Sequence, residues 1–392
     1  MKTPLLSILI ATRNRVPYCI NAIETILAFE HENFELIIQD NSDILDLQNY
    51  ISNRAVDHRL VYNYTPPPFS SIDNFNAVIS LAKGEYLCLI GDDDAVHPEI
   101  FNAVEWAKAN NVASIVPTLK AIYRWPDACD DPQDNGLLTI GYISGKIKKR
   151  STKNAIMKLM KNGGQGYLNL PFPKLYHGIV KREYMELIKE ETGHYVGGLS
   201  PDIYIAIGLA KHIPEIVEID YPLTLPGICG KSAPIDEKRN KYERLEDAPH
   251  FRDRGPYQWS PEVPRFYSGT NIWADSALAA LRDLNLYSYV KKFNTYQLSF
   301  NYRDTDKDKR KEISEFIKHG VPTINFIACY GFNYTKYILS KLKNSIQFRF
   351  GVMIGNQKQA KKIAKIEDIR KAVNHLTSCT PPKYLNNHKS CI

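Results

Sequence analysis

The chain has 392 residues, of which 44% are hydrophobic and 24% charged, and its formal net charge is +7. That length exceeds one average domain and suits two, and the composition is ordinary for a globular protein with a sizeable core. The charge is too modest to select among nucleotides, nucleic acid and membrane as partner.

The first half alternates strand and helix signals. Leu5 to Ala11 is an apolar run that predicts a buried strand. Pro17 to Phe29 carries Ile20, Ile23, Ile26 and Leu27 at helical spacing, with Pro17 suited to a first helical turn. Phe34 to Ile38 and Arg59 to Tyr64 read as strands, Ile72 to Ala82 as a helix, Glu85 to Ile90 as a strand, Pro98 to Ala109 as a helix, and Ala113 to Ile122 as a strand. Such alternation implies a mostly parallel sheet with helices on both faces. Trp125 to Lys174 reads as a long irregular stretch with one short helix at Asn154 to Met160, the pattern of a substrate loop. Regular structure resumes with Tyr176 to Val180, followed by helices at Arg182 to Glu191 and Pro201 to Ala210 and a strand at Ile216 to Tyr221. From about Lys238 onward the pattern is mainly helical.

Seven cysteines are scattered without a CxxC pair, which argues against a zinc ribbon or a disulfide framework and suits a reducing cytosol. The short apolar run at the N-terminus is interrupted by Arg13 and Arg15, unlike a secretory signal. No stretch approaches the roughly 18 to 20 apolar residues needed to cross a bilayer. The expectation is a cytoplasmic protein whose membrane contact, where it has any, is peripheral at the inner face.

In open parallel sheets, ligands sit beyond the carboxyl ends of the strands. Three polar clusters follow predicted strands here: Thr12 to Arg15, Asp40 to Ser42, and Asp92 to Asp94. A dinucleotide fingerprint needs glycines in the first strand–helix turn, and the first glycine of the chain is Gly84, so that site and a P-loop there are excluded. A later fragment, Gly227 to Ser232, resembles a P-loop but has Leu225 where a glycine belongs and Pro234 where a helix should follow. The Asp triplet is the most informative feature. Three adjacent carboxylates repel one another unless solvated or bridged by a hard dication, which takes one or two carboxylates and keeps other positions for water and phosphate. For an isolated triplet, a solvated turn capping the next helix is the commoner explanation; opposite two other polar strand ends, the cation reading prevails.

At these residues the chain resembles family 2 glycosyltransferases. Pro4 to Arg15 is similar to their opening strand and turn, Glu35 to Ser42 to their second strand, and Asn76 to Tyr86 followed by the triplet to their DXD strand and the helix before it. The resemblance covers roughly residues 4 to 230. It implies a GT-A fold, an α/β nucleotide-diphospho-sugar transferase with a mostly parallel central sheet. The catalytic domain is then expected at 1–235, with a donor half at about 1–122 and an acceptor half at about 123–235. A mainly helical C-terminal region would occupy 236–392.

The implied activity is inverting transfer of a sugar from a nucleotide-diphosphate donor to a hydroxyl of a glycan or lipid-linked acceptor, in surface polysaccharide biosynthesis. Carried over by position, Thr12, Arg13, Asn14 and Arg15 line the nucleotide pocket, Asp40 bonds the base or ribose, and Asn76, Asp92 and Asp93 contact the donor. Asp92 with Asp94 is the preferred pair for Mn2+ or Mg2+, with Asp92 and Asp93 as the alternative register. The family's Arg-Asn before the DXD helix is Phe75-Asn76 here, so an Arg contact to the donor is either missing or supplied by Arg13 or Arg15. The resemblance also implies a general base near the start of a later helix. Gly197, Gly198, Leu199, Ser200 and Pro201 lead to Asp202, which fits; complementing the helix dipole is its bland alternative. Lys231 and Ser232 are candidates for a loop closing over the diphosphate, or for a plain surface turn. His177 is a candidate for contact with acceptor or donor sugar, or a structural histidine.

Between Glu315 and Glu367 lie nine Lys or Arg residues and no acid, interleaved with aromatics from Tyr330 to Phe350. This suits an anionic membrane surface, single-stranded nucleic acid, or a solvated helical face. The resemblance favours the membrane, and no nucleic acid is expected. Two rival functions are a sugar nucleotidyltransferase, whose Gly- and Arg-rich first loop is missing at Thr12 to Arg15, and a non-catalytic nucleic-acid-binding protein built on the basic tail.

Overall fold

A computed structural model describes residues 3–128, 135–232, 235, 242, 244–302, 307–320, 331, 335 and 360–380. Most of the basic, aromatic segment from Glu315 to Glu367 lies outside the described residues. The chain begins β1 (Leu6–Thr12), α1 (Val16–Leu27), β2 (Phe34–Asp40), α2 (Asp46–Asn53), β3 (Leu60–Tyr64), α3 (Ser71–Ser80) and β4 (Tyr86–Ile90). It continues β5 (Ala95–Val96), α4 (Glu99–Ala109), β6 (Ser114–Pro117), β7 (Ala121–Arg124), β8 (Leu137–Ile140), β9 (Ile147–Ser151) and α5 (Ala155–Lys161). Then come β10 (Ile179–Lys181), α6 (Arg182–Thr192), α7 (Pro201–His212), β11 (Glu215–Ile219), β12 (Thr224–Leu225) and β13 (Gly227–Ile228).

The central sheet has eight strands in the order β3-β2-β1-β4-β10-β6-β11-β9. Strands β3, β2, β1 and β4 are parallel, as are β6 and β11, while β10 and β9 run against their neighbours. The mostly parallel α/β fold expected from the alternation is the fold observed. Apolar runs such as Ile8, Leu9 and Ile10 are buried on both sheet faces. One core, holding Leu9, Leu87 and Leu89, receives α3, α5, α7 and the helix Gly269–Asp283. The other, holding Ile8, Ile10 and Ile90, receives α1 and α4. The register then sets the site: Thr12 pairs with Asp40, and Ile10 with Ile90, so three polar strand ends emerge side by side.

The stretch 125–174 departs from its expectation of irregularity, because β8 and β9 lie within it. The sequence of β9, Ile-Lys-Lys-Arg-Ser, has no apolar alternation because it is a sheet edge. Its Arg150 pairs with Glu218 of β11. Strand β8 finds its partners elsewhere in the chain, β7 on one side and β14 (Lys361–Ile363) on the other.

A helix at Ile369–Cys379 follows β14 and packs Ile369, Ala372, Val373 and Leu376 into a third core with Tyr123, Trp125 and Leu138. Its end is tied to the segment between β5 and α4 by His97, whose Nε2 lies 3.0 Å from Thr380 Oγ1 in a buried contact. Burial lowers the His97 pKa from the ordinary 6.5 to about 4. A depressed histidine contributes stability that is complete above its ordinary pKa and is lost as pH falls toward the folded value. The segment 361–380 is therefore expected to gain protease sensitivity and faster hydrogen exchange between about pH 6.5 and pH 4, and His97→Gln should flatten that profile. A wild-type profile flat over this window would contradict the role given to His97. Among the described residues no helix is long and apolar enough to cross a membrane.

Candidate active site

The turn after β1 supplies Thr12 to Arg15. Asn14 holds a left-handed φ of 58°, a conformation Asn tolerates better than most residues. Its N–H donates to Ser42 Oγ at 2.8 Å and its side chain donates to Asp43 at 2.6 Å, which joins the turns after β1 and β2. Thr12 Oγ1 donates to Asp92 Oδ2 at 2.7 Å, which joins β1 to the end of β4.

Arg15 is the cation of the triplet. Its Nη1 lies 2.7 Å from Asp92 Oδ1 and its Nη2 3.0 Å from Asp93 Oδ2, and Nη2 also reaches Cys229 Sγ at 2.7 Å. Burial pushes the Asp92 carboxyl up, to about 7, although Arg15 pulls against it. Burial likewise raises Asp93, with Asp94 adding to the rise. Ser232 Oγ donates to Asp93 Oδ2 at 2.7 Å and the Cys229 N–H does so at 3.2 Å, while Lys231 Nζ donates to the Asn14 carbonyl at 3.1 Å. Residues 229–232 therefore close against the turn after β1.

Asp94 belongs to a different network. Its Oδ1 accepts the Gly227 N–H at 2.7 Å, and its Oδ2 accepts from the Gly91 N–H at 2.6 Å and the Tyr176 hydroxyl at 3.2 Å, with His177 Nε2 also 3.2 Å away. Burial pushes this carboxyl up, but His177 and the two backbone donors outweigh that and hold it below the ordinary carboxylate value. Gly227 is required here, since a Cβ would stand 1.7 Å from the Asp93 carbonyl. His177 itself is buried at φ 57°, its other nitrogen 3.1 Å from Thr224 Oγ1. A non-glycine residue held there is strained, and such strain gathers at functional sites.

Asp202 is the second residue of α7 and is partly exposed. Burial pushes its carboxyl up to about 6, against the pull of His177 and a hydrogen bond from Tyr167. His177, 3.2 Å from Asp94, thus also acts electrostatically on Asp202. The loop before α7 is fixed by Ser276 Oγ, which accepts the N–H groups of Leu199 and Ser200 at 3.0 and 2.9 Å.

Other predicted residues take different places. Asp40 is fully buried, its oxygens accepting from the Ser42 N–H at 2.8 Å and the Tyr62 hydroxyl at 2.9 Å. Arg13 is committed to Asp43 at 2.8 Å and Asp253 at 2.5 Å. Asn76 spends its amide on residues 195–196, donating to the Val196 carbonyl at 2.8 Å and accepting the Tyr195 and Val196 N–H groups. Two asparagines that sequence reasoning passed over lie closer to the strand ends. Asn74 donates to the Thr12 carbonyl at 3.2 Å and Asn41 to the Phe69 carbonyl at 2.8 Å, and the buried Oδ1 of each has no protein partner. Asn41 sits within the Asp40 to Ser42 cluster, so that part of the signal was available.

Hard carboxylate oxygens are the correct ligands for Mg2+ or Mn2+. With both Asp94 oxygens engaged by protein donors, Asp92 and Asp93 are the members with coordination to offer: Asp92 Oδ1 faces only Arg15, and the bonds of Asp93 run through Oδ2. The pair fits a dication provided Arg15 swings away. No group of three or more His, Cys, Asp or Glu converges as a metal centre among the described residues.

Residues 7–158 match the family model described as glycosyl transferase family 2. Over 97 residues, 24% of this chain, the sequence is 35% identical to WcaA of Escherichia coli K12, a protein named for glycosyl transfer in colanic acid biosynthesis. The chain spans 34% of that relative's length. Solved structures with a partial likeness include Staphylococcus aureus TarS 1–349 in complex with UDP-GlcNAc, with a TM-score of 0.43, 12% identity, and coverage of 80% of this chain and 71% of that one. The same fragment in complex with UDP gives a TM-score of 0.42 and 11% identity, over 80% of this chain and 70% of that one.

Proposed function

We propose that the chain, whose residues 7–158 match the glycosyl transferase family 2 model, transfers a sugar from a nucleoside-diphosphate donor to a hydroxyl of a glycan or lipid-linked acceptor, with inversion, in polysaccharide assembly. The observation that carries this reading is the convergence, at the ends of β1, β2 and β4, of Thr12, Arg15 and the Asp triplet, with Asp202 electrostatically linked to the same His177 that contacts Asp94.

In this reading the turns after β1 and β2 hold the nucleotide, with the unpartnered Asn41 and Asn74 oxygens as acceptors for its donor groups. Arg15 and Lys231 supply positive charge where the leaving diphosphate gathers negative charge, the preorganised stabilisation that contributes most to such reactions. Asp202 takes the proton of the attacking acceptor hydroxyl, a role worth about 10² to 10⁴ in rate. Its pKa near 6 leaves it ionised at neutral pH yet basic enough to accept a proton. His177 positions Asp94 and Asp202 relative to each other. Family 2 enzymes commonly use divalent metals; Asp92 and Asp93 would hold Mn2+ or Mg2+ here, and the ion would neutralise the diphosphate as a Lewis acid.

Nucleotide binding is the direct test. UDP or GDP at about a hundred times its Kd should stabilise the protein by about 2.7 kcal/mol, with a larger shift when Mn2+ is present. No melting-temperature shift with any nucleoside diphosphate, with or without the ion, would remove the transferase reading. Stabilisation by single-stranded RNA alone would favour the nucleic-acid alternative.

A further inference from the structure

A cavity of 340 Å³ opens among residues 245–265, outside the crevice described above. Its size falls in the range of about 300 to 1,000 Å³ usual for small-ligand sites. Phe251, Tyr257 and Trp259 form an aromatic wall, with ring centroids 6.0 Å apart for Phe251 and Tyr257 and 6.4 Å for Phe251 and Trp259. The polar ends of two of these rings are already spent. The Trp259 indole N–H donates to the Val263 carbonyl at 2.9 Å, and the Tyr257 hydroxyl donates to Asp275 Oδ2 at 2.5 Å. The cavity thus meets ring carbon, the surface on which the apolar faces of sugars stack.

The charged lining residues are Arg254, Arg265 and Glu246. Arg265 is paired with Glu246. Arg254 is then the surplus cation: it lies 4.9 Å from the centroid of the Tyr257 ring and makes no ion pair with any described residue. Burial lowers its pKa, against weaker opposition from Tyr257, Asp73 and Asp275. A half-buried guanidinium with no direct ion-pair partner is costly, and a bound anion would reduce that cost.

The cavity is also joined to the catalytic elements. Asp253, the residue before Arg254, holds Arg13 of the turn after β1. Asp275 anchors Tyr257 and accepts the Ser260 N–H at 2.7 Å, while its neighbour Ser276 anchors the residues leading to Asp202. Two consecutive residues of one helix therefore support the cavity wall and the base-bearing loop.

We infer that this cavity is an acceptor subsite for an anionic saccharide, which places a phosphate or carboxylate on Arg254 and a sugar ring against the aromatic wall. The acceptor role rests on the glycosyl-transfer reading; the binding does not.

The test is calorimetric titration of the full chain, with the donor site saturated by UDP or GDP. The probes are glucose 6-phosphate, glucuronate, glucose and inorganic phosphate. One of the two anionic sugars should bind at least about tenfold tighter than glucose, the size of one charge-assisted hydrogen bond, and their order tells phosphate from carboxylate. Arg254→Gln should weaken that binding by at least about tenfold with unchanged nucleotide affinity and melting temperature, and Arg254→Lys should recover part of it. Equal binding of glucose, undiminished binding by Arg254→Gln, or no binding of either anionic sugar overturns the subsite. Failure of nucleotide binding in the wild-type protein is a separate readout and counts against the transferase reading instead.

Discussion

Asp202→Asn is expected to cut transfer to the acceptor by about 10² to 10⁴ while nucleotide affinity stays unchanged and the protein becomes more stable. The amide keeps the shape of the carboxylate but cannot take the acceptor's proton. The stability gain follows from the raised pKa. The folded value of about 6 lies above the ordinary 3.8, so ionised Asp202 is disfavoured by its surroundings at neutral pH. A raised carboxyl contributes stability below its ordinary pKa and loses it as pH rises through the folded one. At about 1.4 kcal/mol per unit the shift is worth about 3 kcal/mol at pH 7.5, from which the lost helix-dipole interaction of roughly 0.3–1 kcal/mol is to be subtracted. The variant should therefore gain about 2 kcal/mol at pH 7.5, and the gain should vanish near pH 4. Wild-type kcat/KM should rise through about pH 6 and then level off. Near-normal transfer by the variant would take Asp202 out of the chemistry, and a matching fall in nucleotide affinity would move it to donor binding.

Arg15→Gln should destabilise the protein at pH 7.5, by less than the about 3–5 kcal/mol usual for a broken buried ion pair, because Asp92, already pushed up to about 7, can take a proton in place of its cation. Asp92 and Asp93 are nearly fully buried, and Arg15 is the cation on both. Without it their carboxyls rise further, so the variant's deficit should shrink as pH falls and the acids protonate. Mn2+ should then stabilise Arg15→Gln more than wild type, because the site it would occupy no longer contains a guanidinium. Denaturant titrations at pH 7.5 and 5.5, with and without Mn2+, separate these effects. Unchanged stability at pH 7.5 would mean that Asp92 and Asp93 are not held by Arg15; equal Mn2+ responses would mean that Arg15 and the ion do not share a place.

The strand ends were legible because buried parallel strands announce themselves twice, as apolar runs and as abrupt polar stops. Ile8 to Thr12 and Leu87 to Asp92 show both marks, and the sheet register does the rest. Strand β9 was illegible because an edge strand made of Ile, Lys, Lys, Arg and Ser lacks a buried face to impose alternation. Within the site, residue type located the clusters but not their partners. The triplet's division between Arg15 and His177 depends on where residues 227–232 return, and Gly227, Cys229 and Ser232 are more than 130 residues downstream of the carboxylates they touch. Asn74 and Asn76 differ by two positions on α3, about 200° around the helix, so one faces β1 and the other residues 195–196. Composition cannot choose between them.

The pairing of β14 with β8 bears on how the chain reaches its native state during synthesis. Tyr123, Trp125 and Leu138 emerge early, yet the cover supplied by Ile369 and Val373 is translated over two hundred residues later. Until then a nascent chain exposes an apolar sheet face beside α1, the kind of surface chaperones shield. A break placed near residue 235 should therefore yield an aggregating fragment rather than an autonomous folded unit, and co-expression of the severed C-terminal piece should restore its solubility.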